Sequence, residues 1–208
     1  MKQAAAEWKP VVMMTALAAA LWFMTFYLEW GIFWVKISIS AAVLAGISIG
    51  LNGGRLPPFR LSPKAVFIGL ASAVVLYLVF WLGKTIAGAI FPFAPHQIGA
   101  IYAKGHGTSM WAIALLLFFV TSPAEEIFWR GYLQRVLMQR LGERRGWLVA
   151  TAVYAGVHIW SFNFMLIGAA GVAGAFWGAL YRYLDDLAAV VVSHAVWSTF
   201  IFAVMPVP

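Results

Sequence analysis

Ser122-Pro123-Ala124-Glu125-Glu126-Ile127-Phe128-Trp129-Arg130 places two carboxylates and a guanidinium in an otherwise apolar region. The residues from Trp111 to Val120 carry no charge. A charged side chain at the centre of a bilayer costs about 2.5–3.5 kcal/mol on insertion scales, and an ionisable group at that depth marks a functional site by default. The rest of the chain is read as scaffold and partners for this stretch.

Composition supports that setting. Of 208 residues, 63% are hydrophobic and 10% are charged, against about 25% charged in a soluble domain. At about 20 residues per span, the length predicts an all-α, polytopic membrane helix bundle of about seven transmembrane helices. It forms one domain over 1–208, with the catalytic site inside the bundle. No cysteine is present, which excludes disulfides, a thiol nucleophile and a thiolate metal site. The net charge of +7 is assigned to basic cytoplasmic loops facing a lipid bilayer rather than to nucleic acid.

Apolar segments run Val11–Tyr27, Ile32–Leu51 and Lys64–Leu82, followed by a connector over 83–107 broken by Pro92 and Pro95. The fourth span begins near Ser109 and carries the acidic stretch. Pro123 either starts a new helical segment there or kinks a continuous helix. Spans five to seven are Gly146–Trp160, Phe164–Tyr183 and Leu187–Val204. The first span is too long for the apolar region of a signal peptide and has no Ala-x-Ala site after it. Small-residue pairs at Gly46 and Gly50, and at Gly174 and Gly178 in a run with Gly168 and Gly171, permit close helix approach.

Basic residues set the orientation. With the N-terminus inside, the cytoplasmic segments hold Lys2, Lys9, Arg55, Arg60, Lys64, Arg135, Arg140, Arg144, Arg145 and Arg182; the outer segments hold only Lys36, Lys84 and Lys104. The expected location is a prokaryotic plasma membrane, with the N-terminus cytoplasmic. The expected substrate bond lies near the cytoplasmic face.

Glu126 and Arg130 stand four residues apart, so on a helix they share a face. They are expected to form a structural ion pair and to leave Glu125, turned about 100° away, facing a cavity. Tyr154 and His158 share a face of span five, and His194 and Ser198 share a face of span seven. His96 and His106 fall in the connector. Without cysteine, the chemistry available is a glutamate base, two imidazoles and hydroxyls at Tyr154, Ser193 and Ser198. Glu125 is placed to activate water, with His194 and Ser198 as donors to a developing oxyanion; one such donor contributes about 2.7–4 kcal/mol. Water-mediated peptide hydrolysis within the membrane follows as the hypothesis.

Glu125-Glu126-x-x-x-Arg130, then Tyr154-x-x-x-His158, then His194-x-x-x-Ser198 resemble the three motifs of the CPBP family, the CAAX prenyl proteases and bacteriocin-processing (Abi-type) membrane proteins regarded as glutamic intramembrane proteases. The run from Leu184 to His194 resembles the family's lead-in to its third motif. The resemblance covers about Thr108 to Thr199. It implies that Glu125 activates water, His158 positions or polarises it, and His194 stabilises the oxyanion with help from position 198. Glu126 and Arg130 would hold the first motif in shape. It implies no cofactor, no metal, and a membrane-associated protein or peptide as substrate. Two positions depart from the pattern: Tyr154 stands where the family usually has Phe, and Ser198 where it usually has Asn or Asp.

Two other readings of the same residues are a zinc protease, with His158, His194 and a glutamate as ligands, and a non-catalytic membrane scaffold or immunity protein. A helical His-Glu-x-x-His signature is missing, as are the paired broken helices of inverted-repeat transporters.

Overall fold

The computed structural model describes residues 8–206; Lys2 lies outside them. Among the described residues the chain is all helical. Eight helices follow in order: α1 (Trp8–Phe26), α2 (Phe33–Leu51), α3 (Pro63–Ile90), α4 (Ala94–Ala103), α5 (Met110–Leu141), α6 (Glu143–Val157), α7 (Phe164–Leu184) and α8 (Ala188–Val204). By length and composition α1, α2, α3, α5 and α7 suffice to cross a membrane, while α6 and α8 are shorter. Large apolar side chains on the outside, such as Trp111 at 82% and Phe67 at 73% exposure, are explained by lipid around the bundle rather than water.

The connector expected over 83–107 is more ordered than that. Helix α3 runs on to Ile90 because Gly83, Lys84 and Gly88 do not stop it; Pro92 ends it. Helix α4 then docks on the start of α7. Asn163 Nδ2 donates to the Gln97 carbonyl (2.7 Å), and Gln97 Oε1 accepts from Met165 N–H (3.0 Å). Asn163 also caps α7 by accepting from Leu166 N–H.

Helix α5 is the axis of the bundle, packed by α2, α6 and α8, while α3 covers α8 and α7 covers α6. It is continuous through Pro123. The helix widens just before the proline, where Ser122 N–H donates to the Leu117 carbonyl five residues back. This π-helical turn absorbs a ring that a regular turn would force against the carbonyl four residues earlier. A second π-helical segment spans Trp129–Gln134. Buried hydroxyls join α1, α2 and α5: Thr25 with Ser40 (3.1 Å) and Ser38 with Thr121 (2.8 Å).

The glycine expectations divide. A Cβ at Gly174 would meet the Tyr154 ring at 2.8 Å, and one at Gly178 would meet Gln134 and Trp147 at 2.7 Å. At Gly168, Gly46 and Gly50 there is open space, so the Gly46/Gly50 pair packs against no helix among the described residues. The closest approach is at Gly146, where a Cβ would fall into the Met138 backbone across the α5–α6 hairpin.

The two ends of the bundle differ. At one, Arg60 N–H meets the Asp186 carboxylate, Leu187 N–H bonds the Pro58 carbonyl and Arg182 pairs with Glu143 at 3.3 Å. At the other, Tyr27 packs on Phe162, Phe91 on Phe164, and Lys104 lies over Phe33.

Candidate active site

Glu125 and Glu126 lie midway along α5, both buried. Glu126 Oε1 accepts from Arg130 Nη1 (2.8 Å) and stands 2.6 Å from His194 Nδ1 on α8. Arg130 does not snorkel to an interface. It is 2% exposed, bonds the Gly174 carbonyl, and lies between the rings of Tyr154 and Trp177. Glu126 is therefore more than half of an ion pair: the carboxylate that fixes Arg130 also fixes the third-motif histidine. His194 is held further by stacking on Trp177, with centroids 3.8 Å apart. With Nδ1 on Glu126, Nε2 is the nitrogen left for the cavity.

Glu125 turns to a different neighbour. Its Oε2 accepts from the Tyr154 hydroxyl at 3.0 Å, a bond that a phenylalanine at this position could not make. Its other oxygen has no hydrogen bond to the described residues. His158 ends α6. Its Nδ1 is 2.8 Å from the Tyr154 carbonyl, and its Nε2 accepts from the Trp22 indole at 3.3 Å. Those two partners fix the neutral form with the proton on Nδ1. Both ring nitrogens are thus engaged, one of them by a helix that carries none of the three motifs.

Glu125, Tyr154, His158, His194 and Ser198 line one cavity of about 430 Å³ whose walls are otherwise mostly apolar. Helices α5, α6 and α8 bring together all four residues expected to be catalytic. Ser198 is buried. Glu126 and Arg130 lie behind the cavity wall, whereas His96 and His106 are exposed and away from it. Among the described residues no group of three His, Asp or Glu side chains is arranged to hold a metal ion.

Four contributors are missing from the motif pattern: Trp22, Trp177, Gln134 and Thr121. Gln134 is buried and donates to the Gly178 carbonyl at 2.8 Å. A polar amide four residues after Arg130 was a usable signal. The two tryptophans gave none, since aromatic residues in apolar spans are ordinary.

Residues 107–200 match the family model of the type II CAAX prenyl endopeptidases, Rce1-like. Over these residues the chain is similar to that family. The match covers all three motifs on which the CPBP resemblance rests and comes to a little under half of the chain. No curated protein and no solved structure matches. The Rce1-like family is one of proteases, and the match together with the apolar helices supports an integral, multi-pass membrane protein of the peptidase class.

Proposed function

We propose that the chain is a glutamic intramembrane endopeptidase. The observation that carries this is the convergence of Glu125, His158, His194 and Ser198 from three helices on one cavity. With Oε2 held by Tyr154, the second oxygen of Glu125 takes a proton from water, and the hydroxide adds to the peptide carbonyl. His194, as an imidazolium whose Nδ1–H is held by the Glu126 carboxylate, donates from Nε2 to the oxyanion, and Ser198 provides a second donor. The proton on Glu125 then passes to the leaving amine as the C–N bond breaks. Glu126 and Arg130 position His194. His158 takes part by holding the water on Nε2, which requires the Trp22 indole to give up that lone pair. The reading includes a prokaryotic plasma membrane and a cytoplasmic N-terminus.

Membrane proteomes of cells carrying wild type or Glu125→Ala test this. The variant is expected to accumulate an uncleaved precursor that purified wild type converts to product. Full turnover by purified Glu125→Ala sinks the assignment.

A further inference from the structure

The cavity faces away from the basic end of the bundle. Its walls include Phe26 and Phe33 around the α1–α2 loop, Lys84 near the end of α3, Phe91, Lys104 after α4, and Phe164 at the start of α7. No residue from 52–62, 135–145 or 182–187 lines it. Those three segments carry Arg55, Arg60, Arg135, Arg140, Arg144, Arg145 and Arg182. Cytoplasmic loops hold the excess of lysine and arginine, so the end that opens is the extracytoplasmic one. The expectation of a cleavage site near the cytoplasmic face does not fit this geometry.

The chemistry of the opening is equally specific. Apart from Glu125 and the histidines, Lys84 and Lys104 are the only ionisable acid or base side chains among the lining residues save for the phenols. Both are half-buried. Lys84 makes no ion pair among the described residues. Lys104 sits 4.9 Å from the Phe33 ring and 5.8 Å from Phe26, with Glu29 acting on it electrostatically. A half-buried ammonium with no ion pair among the described residues favours an incoming carboxylate. The volume, about 430 Å³, falls in the range of pockets that hold small ligands, roughly 300–1,000 Å³. It suits a short apolar stretch of chain, not a folded domain.

From these observations we infer that the substrate enters from the extracytoplasmic face as an apolar segment flanked by an acidic residue, received by Lys84 and Lys104 at the mouth. This rests on the endopeptidase reading and narrows its substrate class to membrane-anchored peptides with an acidic outer flank.

Two measurements test it without needing catalysis. The chain has no cysteine, so His106→Cys and Arg144→Cys each give a single label site, both exposed and at opposite ends. A membrane-impermeant maleimide on intact spheroplasts is expected to label the first and to reach the second only after permeabilisation. The reverse pattern overturns the proposal. Separately, dansylated leucine-alanine peptides with Asp or Lys on one flank are titrated into purified protein, with its tryptophans as energy donors. The Asp peptide is expected to bind about fivefold tighter. Lys84→Gln with Lys104→Gln should remove that preference, and the peptide swap on wild type gives the same information if the double variant misfolds. Equal affinity of wild type for both peptides overturns the proposal. Preferential binding without cleavage leaves the inference standing and counts against the endopeptidase reading instead.

Discussion

The indole of Trp22 on α1 donates to Nε2 of His158 on α6 across 3.3 Å. The bond uses the lone pair that a water would need, so Trp22 and that water compete for one acceptor. Trp22→Phe keeps the aromatic packing against Trp129 and removes the donor. Turnover is expected to stay within about twofold or to rise, while stability falls by about 1 kcal/mol. Peptidase assays with thermal unfolding in detergent check both. A tenfold loss of kcat would instead place the indole in the working site.

Glu126 and Arg130 form a fully buried ion pair, and removing one member leaves the other charge uncompensated. Arg130→Ala or Glu126→Ala should each cost about 3–5 kcal/mol and yield little folded protein. His194→Ala leaves that pair in place. It should fold and lose about 10²–10³ in kcat, the cost of one oxyanion donor. Expression yield, thermal unfolding and kcat separate the two outcomes.

Gly146 approaches the α5 backbone more closely than any Cβ allows, and a backbone cannot turn aside as a side chain can. Gly146→Ala is therefore expected to destabilise by about 1–3 kcal/mol. Gly50→Ala, in open space within a helix, should be neutral or stabilise by about 0.5–1 kcal/mol. Melting temperatures of the two variants check the contrast.

Lys104, after α4, has its ammonium held below the ordinary value near 10.5 because burial disfavours the charge, an effect opposed by Glu29. Lys36 is its charged neighbour of like sign. Between the lowered folded value and the unfolded one, the unfolded chain binds more protons, so stability rises with pH in that window. As pH climbs toward 10.5, wild type should gain stability relative to Lys104→Gln. Denaturation at stepped alkaline pH measures the difference, and a gain for the glutamine variant would contradict the burial argument.

Much of this molecule was legible in its sequence, for a physical reason. Charge and imidazole are costly in apolar helices, so Glu125, Glu126, Arg130, His158 and His194 stood out against their background, and their spacing carried the family pattern. The ends of the elements were less legible. Lys84 and its flanking glycines resemble a connector, yet α3 continues through them because a single lysine near a membrane surface does not end a helix. Trp22 and Trp177 were invisible for the opposite reason: they look like every other apolar aromatic residue until their partners are known. Orientation of the cavity belongs to the packing, since residues from five helix ends define it.

The two widened turns of α5 flank the acidic pair, and their effect is one of phase. Each takes up an extra residue within one widened turn, so the helix beyond keeps its facing while its numbering slips by one. The segments before Leu117, between the turns, and after Gln134 therefore follow three different registers along a single rod. A side chain's position modulo 3.6 does not by itself say which way it faces in 110–141. Deleting one residue within Leu117–Thr121 would close that turn to a regular one, leave Glu125 facing the cavity, and press the Pro123 ring against the preceding turn.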